Sequence, residues 1–149
     1  MTGEVPADGV IVVGIDGSPA SRQALRWACF QAEITNGSVL AISVNSEPGL
    51  LPGSEFVLRR RGAWRDDDAV RSALHRDVSM VPTSAPVREL VVTGEPADEL
   101  LSAAGDADLL VLGTRGHRAL STIPLGGVAT ECIRRAVCPV VLVPASPAR

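Results

Sequence analysis

In Val10-Ile11-Val12-Val13-Gly14-Ile15-Asp16-Gly17-Ser18-Pro19, a β-branched run gives way to a glycine-rich turn and then to the start of a helix. Val10–Ile15 reads as a strand. Ser18 can cap a helix whose first residue is Pro19, where a missing N–H and a fixed φ do no harm. Leu25, Ala28, Cys29 and Ala32 recur at i, i+3, i+4 and i+7, one apolar stripe to lay on a sheet, and Asn36-Gly37 supplies the stop.

The same alternation continues outward. Val39–Val44 reads as a second buried strand, and the Pro- and Gly-rich stretch from Asn45 to Gly53 as loop. The pattern weakens between Glu55 and Val78, where Ala69, Val70, Ala73 and Leu74 are spaced for a helix. Val87–Val92 is a third strand; Gly94-Glu95-Pro96 opens a helix through Ala104; Leu109–Leu112 is a fourth strand entering Gly113. Val128–Arg135 reads as the last helix, and Cys138-Pro139 separates it from a last strand, Val140–Val143. Five strands alternating with four helices, each strand apolar on both faces, predict an α/β fold. It is a doubly wound, Rossmann-like parallel sheet with helices on both faces and right-handed crossovers.

A chain of 149 residues, 46% of them hydrophobic, suits a single domain over 1–149 with a structured core at about 9–144. Aromatics are 3%, so stacking platforms for single-stranded nucleic acid are not expected. A net charge of −3 and a pI near 5.3 give no pull toward nucleic acid or anionic membrane. All 14 basic residues are Arg, which removes a phosphate-loop lysine, a Schiff-base lysine and a lysine general base together. Cys29, Cys132 and Cys138 are widely spaced, odd in number and set in apolar segments. They read as reduced packing thiols of a cytoplasmic protein rather than a disulfide framework or a zinc site. No apolar run approaches a membrane span and the N-terminus lacks a signal layout, so a soluble protein is expected.

Ligands of doubly wound folds bind beyond the carboxyl ends of the strands, where the strand order reverses. Two post-strand loops stand out: Gly14-Ile15-Asp16-Gly17-Ser18, and Gly113-Thr114-Arg115-Gly116 continuing to Gly126-Gly127. In a sheet ordered 3-2-1-4-5 they would be neighbours. Their glycines let backbone N–H groups approach an anion, and the last helix adds its positive end, so phosphate is the natural guest. Asp16 has the wrong charge to hold phosphate. It reads either as an acceptor for ribose hydroxyls or adenine, as a carboxylate holding Mg2+ through water, or as an ordinary turn aspartate. No residue is expected to ligate a metal directly.

Neither Gly-x-Gly-x-x-Gly after the first strand nor Gly-x-x-x-x-Gly-Lys-Ser/Thr occurs, which weighs against dinucleotide redox chemistry and phosphate-loop hydrolysis. What occurs is Gly113-x2-Gly116-x9-Gly126, with Val12-Val13-Gly14-Ile15-Asp16-Gly17-Ser18, Gly94-Glu95-Pro96-Ala97, Ala107-Asp108-Leu109-Leu110-Val111-Leu112-Gly113 and Cys138-Pro139-Val140-Val141-Leu142-Val143 in register with it. In order and spacing these segments resemble the ATP-binding subgroup of the universal stress protein family over nearly the whole chain.

The resemblance implies a strand order of 3-2-1-4-5, a homodimer formed largely through Val140–Val143, and a bound ATP, with or without Mg2+, or AMP or cyclic AMP. Carried over residue by residue, it sets Gly14 and Asp16, with Ile15 between them, by the ribose and adenine, and Val44 against the base. Gly113, Gly116, Gly126, Gly127 and Val128, with Ala129 after them, would follow the phosphates, and Arg115 and His117 could add charge or hydrogen bonds. One departure stands out: Gly127 occupies the position where the family signature has Ser or Thr. A hydroxyl bond to phosphate is lost, the backbone N–H remains, and weakened rather than abolished binding is expected, with Thr130 a partial substitute.

The leading expectation is a stress-response regulatory protein that signals through nucleotide occupancy and a dimer surface presented to unidentified protein partners. The alternatives are a non-binding interaction protein of the same fold, and an enzyme such as a weak ATPase. No catalytic residue is assigned, because two histidines leave few general bases and no Ser-His-Asp or Cys-His arrangement is forced. His75 reads as a surface residue, and Arg59-Arg60-Arg61 with Trp64 and Asp66-Asp67-Asp68 as a solvated, mutually neutralising surface.

Overall fold

The computed structural model describes residues 9–46, 66–114 and 125–145. Five strands, β1 (Val10–Gly14), β2 (Ser38–Asn45), β3 (Val87–Thr93), β4 (Leu109–Gly113) and β5 (Val140–Val143), form one sheet in the order β3-β2-β1-β4-β5. Every pairing is parallel: Val12 stands opposite both Leu40 and Leu110, Ile42 opposite Leu90, and Leu112 opposite Leu142. The order reverses between β1 and β4, so the loops leaving these two strands diverge to opposite faces and leave a crevice between them.

Four helices provide the crossovers: α1 (Pro19–Thr35), α2 (Asp67–Ser79), α3 (Pro96–Ala103) and α4 (Gly127–Arg135). Helix α1 begins as its sequence requires, with the Ser18 side chain accepting the Ser21 N–H and Pro19 in the first turn. It ends at Asn36, which takes the left-handed conformation at φ 61°. Asn tolerates that region better than most residues, and Gly37 follows without having to supply it. Helix α3 tightens at Ala104 into a 3-10 turn, Ala104–Asp106, one residue short of the expected end; α4 starts one residue earlier than expected, at Gly127.

Alternate residues of each strand feed two cores, one on each face of the sheet. Ile11, Val13, Val39, Ala41 and Val111 pack with Leu25, Ala28 and Cys29 of α1 and Leu74 of α2. Val12, Ile42, Leu110 and Leu112 pack with Leu100 of α3 and Cys132 of α4. Fully burying one such aliphatic side chain contributes about 1.5–3 kcal/mol, so the interior strands hold the sheet rigidly beneath the loops.

The expectation that every strand is apolar on both faces fails at β3. Val87 and Val91 pack into the α1/α2 core, but Arg88 and Leu90 on the other face are exposed. β3 is an edge strand, and α3 packs over β2 and β1 rather than over it. Asp66-Asp67-Asp68 is likewise more than a solvated charge run. Asp66 caps α2 by accepting the Ala69 N–H at 2.8 Å, and Asp67 accepts Asn45 Nδ2 at 2.9 Å, tying the end of β2 to the start of α2. His75 is exposed as expected, 3.0 Å from Glu89 of β3. Arg59-Arg60-Arg61 and Trp64 lie outside the described residues.

Candidate functional site

At the carboxyl ends of β1 and β4 lies a cleft of about 260 Å³. Its walls are the loop after β1 with Gly14, Ile15 and Asp16, the end of β4 at Gly113, the start of α4 from Gly126 to Ala129, and Val44 near the end of β2. Each site residue expected from sequence that falls among the described residues therefore lines the same cleft. Arg115, Gly116 and His117 lie outside the described residues.

The turn at Asp16 is built by a short hydrogen-bonded circuit. The Ser18 N–H donates to Asp16 Oδ1 at 2.9 Å, the Asp16 N–H donates to Ser21 Oγ at 3.3 Å, and Gly17 takes φ 83°, a conformation that favours glycine. Buried Ser43 donates its hydroxyl to the Ile15 carbonyl at 2.8 Å, and the Ile15 N–H donates to the Ile42 carbonyl at 2.8 Å, so the loop is anchored to β2. Asp16 is thus a turn aspartate and a cleft residue at once: Oδ1 is engaged, and Oδ2 has no protein donor among the described residues. It also borders a second cleft of about 190 Å³ that opens toward Asp77 of α2.

Gly113 is a packing requirement. A Cβ there would come within 2.7 Å of Ala20 Cβ and 2.9 Å of the Ala20 carbonyl carbon, so only glycine lets β4 end this close to the first turn of α1. Gly127 is the opposite case: a Cβ there would meet nothing within 4 Å among the described residues. None of the described residues of the cleft stands in the way of a side chain at position 127.

Helix α4 has Gly126 at its N-cap and no side-chain cap. Its first helical bond is Thr130 N–H to the Gly126 carbonyl, at 3.0 Å. The N–H groups of Gly127, Val128 and Ala129 have no backbone or side-chain acceptor among the described residues. All three residues line the cleft, where uncapped donors and the positive end of the helix favour an anion. Helix α1 also starts at this cleft, but Pro19 has no N–H to offer, Ser18 Oγ accepts the Ser21 N–H, and Asp16 Oδ1 accepts the N–H of Ser18 itself. Thr130, considered as a replacement hydroxyl, donates instead to the Gly126 carbonyl at 2.9 Å and is not part of the cleft wall. A threonine one turn into a helix bonds back along its own helix in preference to reaching past the N-terminus.

Sequence reasoning missed the cleft's floor and part of its wall. Ile42, Leu100 and Leu112 form an apolar base, and Ser18, Ser21, Ser46 and Pro96 complete the lining. The leucines carry no signal that separates a cleft floor from a core, since they belong to the core beneath as well. Ser18 was legible only as a cap. Among the described residues no cluster of three or more His, Cys, Asp or Glu side chains is placed to hold a metal. Burial raises the thiols of Cys29 and Cys138 and pushes Cys132 up to about 11, so none is poised as a thiolate.

A family model described as the universal stress protein family matches residues 9–144. A universal stress protein of Thermus aquaticus is 32% identical over 139 residues, covering 89% of this chain and 96% of the relative. One from Mycobacterium tuberculosis is 28% identical over 139 residues, 89% of this chain but 47% of the relative, so the chain spans about half the length of the mycobacterial relatives it matches. Among solved structures, a universal stress protein in complex with cAMP is 26% identical with a TM-score of 0.63, covering 95% of this chain and 100% of the other. A universal stress protein of Archaeoglobus fulgidus in complex with dAMP is 25% identical with a TM-score of 0.56, covering 93% and 99%.

Proposed function

Because this chain belongs to the universal stress protein family, we propose that its cleft binds an adenine nucleotide, ATP foremost, and that occupancy of the cleft is the signal by which the protein acts in a stress response. The observation that carries this reading is the uncapped start of α4, with the Gly127, Val128 and Ala129 N–H groups lining one wall while the Asp16 carboxylate lines another. A ligand suited to both must be anionic at one end and rich in donors at the other. A nucleotide meets that description: phosphates at the α4 end, ribose or adenine donors at Asp16 Oδ2, and the base against Val44, Ile42 and Leu100.

AMP and cyclic AMP share the adenosine half and remain within the same proposal, in keeping with the cAMP and dAMP carried by two structural relatives. Mg2+ fits only in a supporting part. Asp16 offers one carboxylate oxygen with no donor among the described residues, so the ion would be held mainly by phosphates and water and would neutralise phosphate charge. We propose a binding protein rather than an enzyme, with at most slow hydrolysis, because the described wall carries a single charged side chain and no histidine. Self-association would use β5, an edge strand whose outer backbone groups can pair with a second copy through Val140–Val143. A cytoplasmic setting accords with three free cysteines, and among the described residues no helix is long and apolar enough to cross a membrane.

The test is to extract protein purified without added nucleotide, identify any released molecule by mass spectrometry, and titrate ATP, AMP and cyclic AMP by calorimetry. Recovery of an adenine nucleotide, or saturable binding of one, is the expected result. A second reading, an interaction protein that has lost its ligand, rests on Gly127; absence of binding at millimolar nucleotide would establish it in place of the first.

A further inference from the structure

Two serines at the start of α1 line the cleft while almost wholly buried, Ser18 at 1% and Ser21 at 3% exposure. Their hydrogen bonds differ. Ser21 Oγ accepts the Asp16 N–H and donates to the Ser18 carbonyl at 3.1 Å, so its hydroxyl is used in both directions. Ser18 Oγ accepts the Ser21 N–H at 3.1 Å, but its own proton has no acceptor among the described residues. The other polar groups of Ser18 are engaged: its N–H by Asp16 Oδ1, its carbonyl by the Ser21 hydroxyl and the Arg22 N–H.

Ser18 Oγ is satisfied as an acceptor, but a hydroxyl proton shielded from bulk water with no acceptor among the described residues carries a desolvation penalty that capping does not explain, since a cap needs only the oxygen. The proton belongs to a residue of the cleft wall. We propose that Ser18 is a ligand-binding residue whose hydroxyl donates to a phosphate oxygen of the nucleotide, supplying from α1 the kind of contact that Gly127 cannot supply from α4. The inference rests on the nucleotide reading of the cleft. Phosphate is favoured over sugar on two grounds. Ribose hydroxyls have Asp16 Oδ2, which has no donor among the described residues, as their acceptor, and an anionic oxygen at the start of α1 gains from the helix dipole as well as from a charge-assisted bond.

The test separates the hydroxyl from the cap. Ser18→Gly removes the hydroxyl, and glycine is a tolerable N-cap, so its melting temperature should stay near that of the parent; Ser18→Thr keeps both functions. By calorimetry, Ser18→Gly should bind AMP at least about tenfold more weakly while binding adenosine as the parent does, whereas Ser18→Thr should bind adenosine as the parent does and retain AMP binding within a few-fold. Should Ser18→Gly fail to fold, Ser18→Ala, which loses the cap as well, gives the same AMP-against-adenosine comparison. Unchanged AMP affinity in folded Ser18→Gly overturns the proposal and leaves the nucleotide site standing. Equal losses for AMP and adenosine overturn the phosphate assignment. A parent protein that binds no adenine nucleotide overturns the site reading and this inference together.

Discussion

Gly127→Ser should tighten nucleotide binding, and the structure allows the size of the effect to be worked out. A Cβ at position 127 meets no atom of the described residues within 4 Å, so serine enters without displacing any of them. It occupies the first position of α4, on the cleft wall beside the uncapped N–H groups. A hydrogen bond to a charged phosphate is worth about 1.5–3 kcal/mol, and fixing a short side chain removes roughly 0.5–1 kcal/mol of that. The net gain of about 1–2 kcal/mol corresponds to a fall in Kd of roughly five- to thirtyfold. Helix propensity adds a few tenths of a kcal/mol of stability, because serine is a better helix residue than glycine. The assay is calorimetric titration of ATP and AMP into parent, Gly127→Ser and Gly127→Ala, the last adding the same Cβ without the hydroxyl. Folded Gly127→Ser that binds no more tightly than Gly127→Ala would refute the reasoning that phosphate lies at the start of α4.

Three further outcomes are expected. Asp66→Ala removes the acceptor for the Ala69 N–H and should lower stability by about 1 kcal/mol, a melting temperature lower by a few degrees, read by thermal denaturation. Gly113→Ala forces a Cβ to within 2.7 Å of Ala20 and should cost on the order of 1–3 kcal/mol while lowering nucleotide affinity, because it pushes β4 away from α1 at the cleft; stability and calorimetry read the two effects. Burial raises the Cys132 thiol from 9.0 to about 11, so the unfolded chain ionises first. The stability contributed by the neutral thiol is complete below pH 9 and is lost as the pH climbs from 9 through about 11, seen as a falling denaturation midpoint, and native protein should resist alkylation at Cys132 at neutral pH.

Much of the fold was legible because the signals that start and stop its elements are local. Ser18-Pro19 and Asn36-Gly37 bound α1 by the chemistry of individual residues, and the β-branched runs are short enough to be strands and nothing else. What stayed hidden depends on partners distant in sequence. Arg88 and Leu90 can be exposed because β3 lies at the edge of the sheet, a property of strand order rather than of the strand itself. Asp66 is a cap because the helix starts at Asp67, and in a run of three aspartates the pattern does not say which one precedes the first turn.

The candidate site shows the same division. Glycines and Asp16 in post-strand loops announce it, whereas Leu100 and Leu112 do not, because a cleft floor and a core ask for the same side chains. Thr130 misled for a related reason. A hydroxyl near Gly127 in sequence suggests a ligand contact, but on a helix it is spent on the Gly126 carbonyl one turn back. That the Ser18 proton has no acceptor among the described residues emerges only from its hydrogen bonds taken together.

The most direct test of the site is an amide NMR titration of the isotope-labelled protein with ATP. Saturable movement of the Gly127, Val128 and Ala129 amides, together with those of Ile15 and Asp16, is the predicted result. Saturable binding that leaves these resonances in place and moves others would contradict the account.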